Sequence, residues 1–225
     1  LTTAEVAEII TTKEELAEPT IKVLSDTKIE TRPPSSSQSY KTGKRTATQL
    51  SFTHVFKGDA EQETVFSKAV NPVVDSFLTG QDGLVFAYGI TNAGKTHTIS
   101  GTTNQPGVLP RALTKIFEKV SNLKSVTVSV SYLEIYNEKY YDLLVPLPKQ
   151  QYQQRKTLSL RGGKLDKLKH EIVKSSNDAL NQLTIGSNNR SKAQTLLNCD
   201  SSRSHSVFNI VLKGLPGIDP KKLLR

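Results

Sequence analysis

Eight consecutive residues, Gly89-Ile90-Thr91-Asn92-Ala93-Gly94-Lys95-Thr96, have the spacing G-x-x-x-x-G-K-T. In that pattern backbone N–H groups cradle phosphates, the lysine reaches the outer phosphates and the threonine hydroxyl holds magnesium. Gly89 and Gly94 suit it, because a side chain there would block close approach of the backbone to a phosphate. Further along, Asn198-Cys199-Asp200-Ser201-Ser202-Arg203-Ser204-His205 supplies hydroxyls and a fixed cation able to sense a terminal phosphate. Together the two runs read as a nucleotide switch rather than a nucleotide binder alone. Each has a blander reading, a Gly-rich turn with a surface lysine and a solvated Ser-rich loop. The apolar run Gly83-Leu84-Val85-Phe86-Ala87-Tyr88 weighs against the first, because it aims a strand at the loop.

The elements that must position these residues alternate between helix and strand. Ala4-Glu5-Val6-Ala7-Glu8-Ile9-Ile10 is a short amphipathic stretch, and Ile21-Lys22-Val23-Leu24 reads as a strand. Residues 32–45, rich in Ser, Pro and Lys, read as an exposed, mobile loop. Residues 50–56 alternate apolar and polar, as a half-buried strand does. Asp59 and Gln62 form a capping box for a helix whose buried face is Val65, Phe66, Ala69, Val70, Val73, Val74, Phe77 and Leu78. Gly80 stops it, and Pro72 should kink it or tighten one turn. Gly83 to Tyr88 reads as a central strand covered on both faces.

A second helix begins near Pro110 and buries Leu113, Ile116, Phe117 and Val120. Val126, Val128 and Val130 alternate along a strand that continues through Leu133 and Ile135. Ser175 or Ser176 caps a third helix with Ala179, Leu180 and Leu183 inside, and residues 206–212 close as an alternating strand. The chain shows no internal repeat and reads as one mixed α/β domain over residues 1–225.

The length of 225 residues is enough for one substantial core without disulfide staples. A single cysteine, Cys199, excludes an intramolecular disulfide and suits a reducing compartment. No window approaches a membrane span of roughly 18 apolar residues, and the first residues do not pattern as a secretory signal. The net charge of +9 predicts attraction to nucleic acid, anionic lipid or an acidic protein surface. His54, His97, His170 and His205 are too scattered for a metal site. Tyr132, Tyr136, Tyr140 and Tyr141 read as core and edge packing rather than base-stacking, and Lys164, Lys167, Lys169 and Lys174 as a solvated or contact face.

The spacing Asn-x-x-Ser-Ser-Arg-Ser-His resembles the switch I element of kinesin motor domains. Three further segments agree. Residues 88–98, with the Tyr and His-Thr that flank the loop, resemble the kinesin phosphate loop. Tyr132-Leu133-Glu134-Ile135-Tyr136-Asn137-Glu138 with Asp142-Leu143-Leu144 resembles the kinesin strand and loop that approach the microtubule. Gly186-Ser187-Asn188-Asn189-Arg190 with Thr195 and Asn198 resembles the approach to switch I. The resemblance covers roughly residues 50–212. Ile90, Thr91 and Asn92, then Asn71-Pro72, Gly107-Val108-Leu109-Pro110-Arg111 and residues 204–210 look most like the kinesin-6 class, the mitotic kinesin-like proteins of the central spindle.

The resemblance implies a kinesin-type α/β fold, a P-loop NTPase with a central mostly parallel sheet and helices on both faces. It implies a microtubule-stimulated ATPase that uses ATP/ADP and Mg2+. Gly89, Ile90, Thr91, Asn92, Ala93, Gly94, Lys95, Thr96 and His97 would hold the nucleotide, and Thr96 and Ser202 the magnesium. Ser201 would touch the γ-phosphate or the attacking water, Asn198 would order switch I, and Arg203 would pair with a switch II glutamate. The implied partners are microtubules, a second copy joined through a coiled coil outside this chain, and a GTPase-activating subunit of centralspindlin. Membrane is not among them, and nucleic acid is disfavoured. The implied setting is the cytoplasm and cytoskeleton, the spindle midzone and cytokinesis, with a nuclear interphase pool.

Two departures shape the expectation. No strand ending in Arg-x-Arg-Pro is found, Arg32-Pro33-Pro34 being a poor substitute because it follows the wrong strand, and no Asp-x-x-Gly-x-Glu follows residue 212. Residues 122–126 are also short where this class is expected to carry an insertion. The chain is therefore expected to be an incomplete motor domain that binds nucleotide better than it hydrolyses it. Other readings are a non-motile kinesin-like adaptor, a nucleotide kinase with an arginine lid, and a nucleic-acid-binding protein.

Overall fold

The computed structural model describes residues 20–43, 46–146, 155–196, 204–219 and 222–225. The chain falls into two compact units, residues 1–75 with 83–112 and residues 76–82 with 113–225.

In the first unit β1 (Ile21–Ser25), β2 (Lys28–Thr31) and β3 (Thr48–Ser51) form an antiparallel sheet in that order. Ile29 is its deeply buried anchor. β3 is shorter than the alternation over 50–56 predicts. Ser51 already pairs with Lys28, so the next residues meet the turn at Asp26 and Thr27, which accept from Val55 and Phe52. Within the expected loop lies one turn of helix, α1 (Gln38–Lys41), with the Ser37 hydroxyl accepting from the Tyr40 N–H.

The next helix has three parts: α2 (Gln62–Val65), a π-helical turn (Phe66–Val70) and α3 (Asn71–Leu78). Val65, Phe66, Ala69, Val70, Val74 and Phe77 are buried as the periodicity predicts, while Val73 and Leu78 are half-buried. The capping box is not formed: Glu61, not Asp59, is the N-cap, and it makes no side-chain cap bond. The helix does not tighten at Pro72. The turn before it widens instead, which relieves the ring's clash with the carbonyl four residues back and accommodates the missing N–H. Gly80 ends the helix at φ 101°.

The expected central strand at residues 83–88 is absent. The segment joins none of the sheets among the described residues, and Leu84, Phe86 and Tyr88 are 66%, 51% and 83% exposed. An apolar run becomes a buried strand only where neighbours take up its backbone groups on both edges, and none of the described strands does so.

The second unit is built on β4 (Thr127–Tyr136). β10 (Ser204–Lys213) pairs with it along its whole length, from Ser204 opposite Tyr136 to Lys213 opposite Thr127. β5 (Lys139–Asp142) and β9 (Glu171–Val173) share the other edge, and β6 (Thr157–Leu158) extends β5. β7 (Leu160–Arg161) and β8 (Lys164–Leu165) make a separate hairpin. Helices and sheets together give the α/β class. The expected mostly parallel pairing is not found, because every strand pair among the described residues is antiparallel.

α5 (Val108–Val120) buries Leu113, Ile116, Phe117 and Val120, as predicted. α6 (Ser176–Leu196) lies against β4 and β9. The Ser175 hydroxyl accepts from the Asp178 N–H, and the Asp178 carboxylate accepts from Lys174 N–H, so this end is capped reciprocally. Gly186 brings α6 close to the sheet: a Cβ there would stand 2.2 Å from Tyr132 Cδ1. Tyr132 itself is buried edge-on against Phe208, as core packing requires.

Candidate nucleotide site

Residues 89–97 form one continuous loop-to-helix turn in the first unit. Asn92 adopts φ 65° and Gly94 φ 87°, two left-handed positions that let the chain double back and start α4 (Lys95–Ile99). Asparagine tolerates that conformation better than other side chains, and glycine carries no penalty there. The Ala93 N–H closes the turn onto Ile90 O at 3.2 Å, and Thr98 N–H makes the 2.9 Å bond to Gly94 O. The N–H groups of Lys95, Thr96 and His97 precede that bond and have no acceptor within the helix, the arrangement that suits a phosphate.

The Lys95 ammonium lies across the loop, donating to Gly89 O at 2.9 Å and Ile90 O at 2.6 Å. Its charge therefore sits over the concave backbone rather than extending into solvent. Ile90 is 83% exposed, and Thr91, Asn92, Thr96 and His97 are also exposed, so the loop is accessible. The residues present fit a nucleotide's phosphates and one magnesium ligand, the Thr96 hydroxyl.

One residue that supports the loop escaped the sequence reading. Gln62, buried on α2, donates its amide Nε2 to His97 O at 2.7 Å and lies 3.0 Å from His97 Nδ1. The motif reading spent Gln62 on a capping box, whereas the fold turns it toward α4. Beside it, Arg111 at the start of α5 donates to Pro106 O and pairs with the Glu63 carboxylate.

Asn198, Ser201, Ser202 and Arg203 lie outside the described residues, as does Cys199. Ser204 and His205, which follow them in the motif, open β10. In this second unit the structure reveals a charged cluster that the sequence did not. Glu134, 2% exposed, holds Arg155 Nη1 at 2.7 Å and Arg190 Nε at 3.3 Å. Of the expected contact lysines, Lys169 is tied down: its N–H donates to Asp142 and its ammonium pairs with Glu171. Lys167 and Lys174 are exposed. Among the described residues no group of His, Cys, Asp and Glu is arranged to hold a metal ion.

A left-handed Gly-rich turn that launches a helix and is spanned by its own lysine defines a phosphate-loop protein of α/β class. A family profile described as kinesin motor domain matches residues 8–220. This chain belongs to that family. It is 36% identical to human centromere-associated protein E over 166 residues, which cover 73% of this chain and 6% of that protein. It is 41% identical to the kinesin-like protein KIF22 of Danio rerio over 167 residues, 69% of this chain and 25% of that one. The chain thus spans a quarter or less of these curated relatives. Among solved structures it resembles KIF14, described as a dimer in a two-heads-bound state with AMP-PNP in complex with a microtubule. The TM-score is 0.76 at 26% identity, covering 93% of this chain and 61% of that one.

Proposed function

We propose that this chain is the nucleotide-binding core of a microtubule-stimulated ATPase, acting as one motor domain across residues 1–225. The observation that carries this is the Lys95 ammonium laid over the Gly89–Thr96 turn at the open end of α4. KIF14 bound to AMP-PNP and a microtubule supports the choice of nucleotide and partner. In this reading the N–H groups at the start of α4 grip the β-phosphate and Lys95 neutralises the β- and γ-phosphates. Thr96 and Ser202 hold magnesium, which would offset charge on the phosphates. Ser201 contacts the γ-phosphate or the attacking water, Asn198 orders that segment, and Arg203 closes on a glutamate of switch II. His97 sits beside the loop, held by Gln62.

Within the family we place the chain with the kinesin-6 class, serving the spindle midzone and cytokinesis, on the strength of Ile90-Thr91-Asn92, Asn71-Pro72 and residues 204–210. A coiled-coil homodimer and a GTPase-activating partner of centralspindlin belong to that finer reading, as does a cytoskeletal, midzone and interphase-nuclear distribution. A non-motile microtubule-binding adaptor is the alternative, and microtubule-stimulated phosphate release by the whole protein separates the two. The site itself is tested by calorimetry with magnesium–ATP. Lys95→Ala should weaken binding at least tenfold, the order of one charge-assisted contact, while Lys174→Ala leaves it unchanged. Equal affinity of wild type and Lys95→Ala refutes the assignment.

A further inference from the structure

α4 is a helix of five residues, too short to hold itself in place. It nevertheless carries Lys95 and Thr96, the residues that end the phosphate loop. Its last turn does not close in the usual way. Gly101, at φ 70°, turns its N–H back to Thr96 O at 3.2 Å, where the Ser100 N–H already donates at 2.8 Å. His97 O, which the Gly101 N–H would meet in a continuing helix, is left for another donor.

Gln62 on α2 supplies that donor. The residue is buried, and its Nε2 donates to His97 O at 2.7 Å while lying 3.0 Å from His97 Nδ1. One amide thereby meets the backbone and the ring of the same residue. α2 is itself tied down one residue later, where the Glu63 carboxylate pairs with Arg111 of α5. Arg111 Nε in turn donates to Pro106 O at 3.0 Å. Beyond α4 the chain comes back against it at Gly107, whose N–H donates to Ser100 O at 3.1 Å. A Cβ on Gly107 would stand 2.6 Å from both Thr98 O and Ile99 O. All of these contacts lie within the first compact unit.

We propose that Gln62 is a positioning residue of the nucleotide site: by holding His97 O it fixes α4, and so keeps Lys95 and Thr96 where a phosphate can meet them. The proposal rests on the nucleotide-site reading above and adds a residue to it. Its consequence is a matter of populations. Without the Gln62 donor α4 exchanges among positions, and apparent affinity falls by the fraction of time spent in the binding position. Loss of one neutral hydrogen bond sets that fraction at about one fifth.

Gln62→Met is the informative variant, because it fills a similar volume and removes the N–H donors. Calorimetric titration with magnesium–ADP compares wild type, Gln62→Met, Lys95→Ala and the double variant, with a thermal melt of each. Gln62→Met should melt within about 4 °C of wild type and bind about fivefold more weakly. In the Lys95→Ala background the same change should cost about twofold or less, since the group being positioned is gone. Wild-type affinity in a folded Gln62→Met chain overturns the proposal, because Gln62 then has no part in binding. A fivefold loss that persists without Lys95 overturns it too, because the effect is then a general loosening. If Gln62→Met does not fold, Gln62→Asn, which keeps the amide but shortens its reach, decides by the same cycle. Insensitivity of binding to Lys95→Ala alone would instead overturn the underlying site.

Discussion

Replacing Glu134 by glutamine should cost far more stability than its single charge suggests. The carboxylate is 2% exposed and its first partner, Arg155, only 8% exposed, while Arg155 Nη2 is already buried without a hydrogen-bond partner. Glutamine fills the same volume but leaves two guanidinium groups without a counter-charge, and turns an N–H2 toward one of them. Removing one member of a buried ion pair typically costs about 3–5 kcal/mol, because the surviving charge stays desolvated. For a domain of this size each kcal/mol lowers Tm by about 2–4 °C, giving a drop of about 6–20 °C. The comparison is Glu30→Gln, which breaks the ion pair with Arg32, a guanidinium 59% exposed. Glu30 is 19% exposed, but water reaches the guanidinium of that pair, which should be worth about 1 kcal/mol or less. Urea and thermal unfolding of both variants, followed by circular dichroism, give the two values side by side. Similar small losses for both would show that solvent screens the Glu134 cluster, and the argument from burial would fail.

At Gly186 two effects oppose each other and the sign is the test. Glycine to alanine inside a helix gains about 1 kcal/mol by propensity, but a Cβ would stand 2.2 Å from Tyr132 Cδ1 and 2.8 Å from Cε1. Overpacking of that kind costs about 1–3 kcal/mol, so Gly186→Ala should destabilise in urea, and a gain would refute the close approach of α6. The net charge of +9 should draw the chain to acidic tubulin, with co-sedimentation falling as ionic strength passes about 0.15 M, where screening reaches roughly 8 Å. Strong binding that ignores salt would contradict the electrostatic account.

The sequence alone determined the parts whose physics is local. A left-handed turn before Lys95 follows from Gly94, the helix stop at Gly80 from glycine's freedom at positive φ, and the buried face of α5 from the spacing of Leu113, Ile116, Phe117 and Val120. The alternation in residues 206–212 likewise foretold β10, and the motif spacing foretold the family that residues 8–220 match. Only the tertiary structure decided what depends on partners distant in sequence. Whether residues 83–88 become a strand rests on neighbouring edges, which no run of apolar residues can supply for itself. Gln62 fits a capping box by spacing, yet its amide is spent on His97 because the fold brings α4 within 2.7 Å. Glu134 lies in a motif that spacing alone marks as a strand. Its place at the centre of a charged cluster arises because antiparallel register sets Ser206 and Tyr141 beside it, while Gly186 lets the helix carrying Arg190 come close.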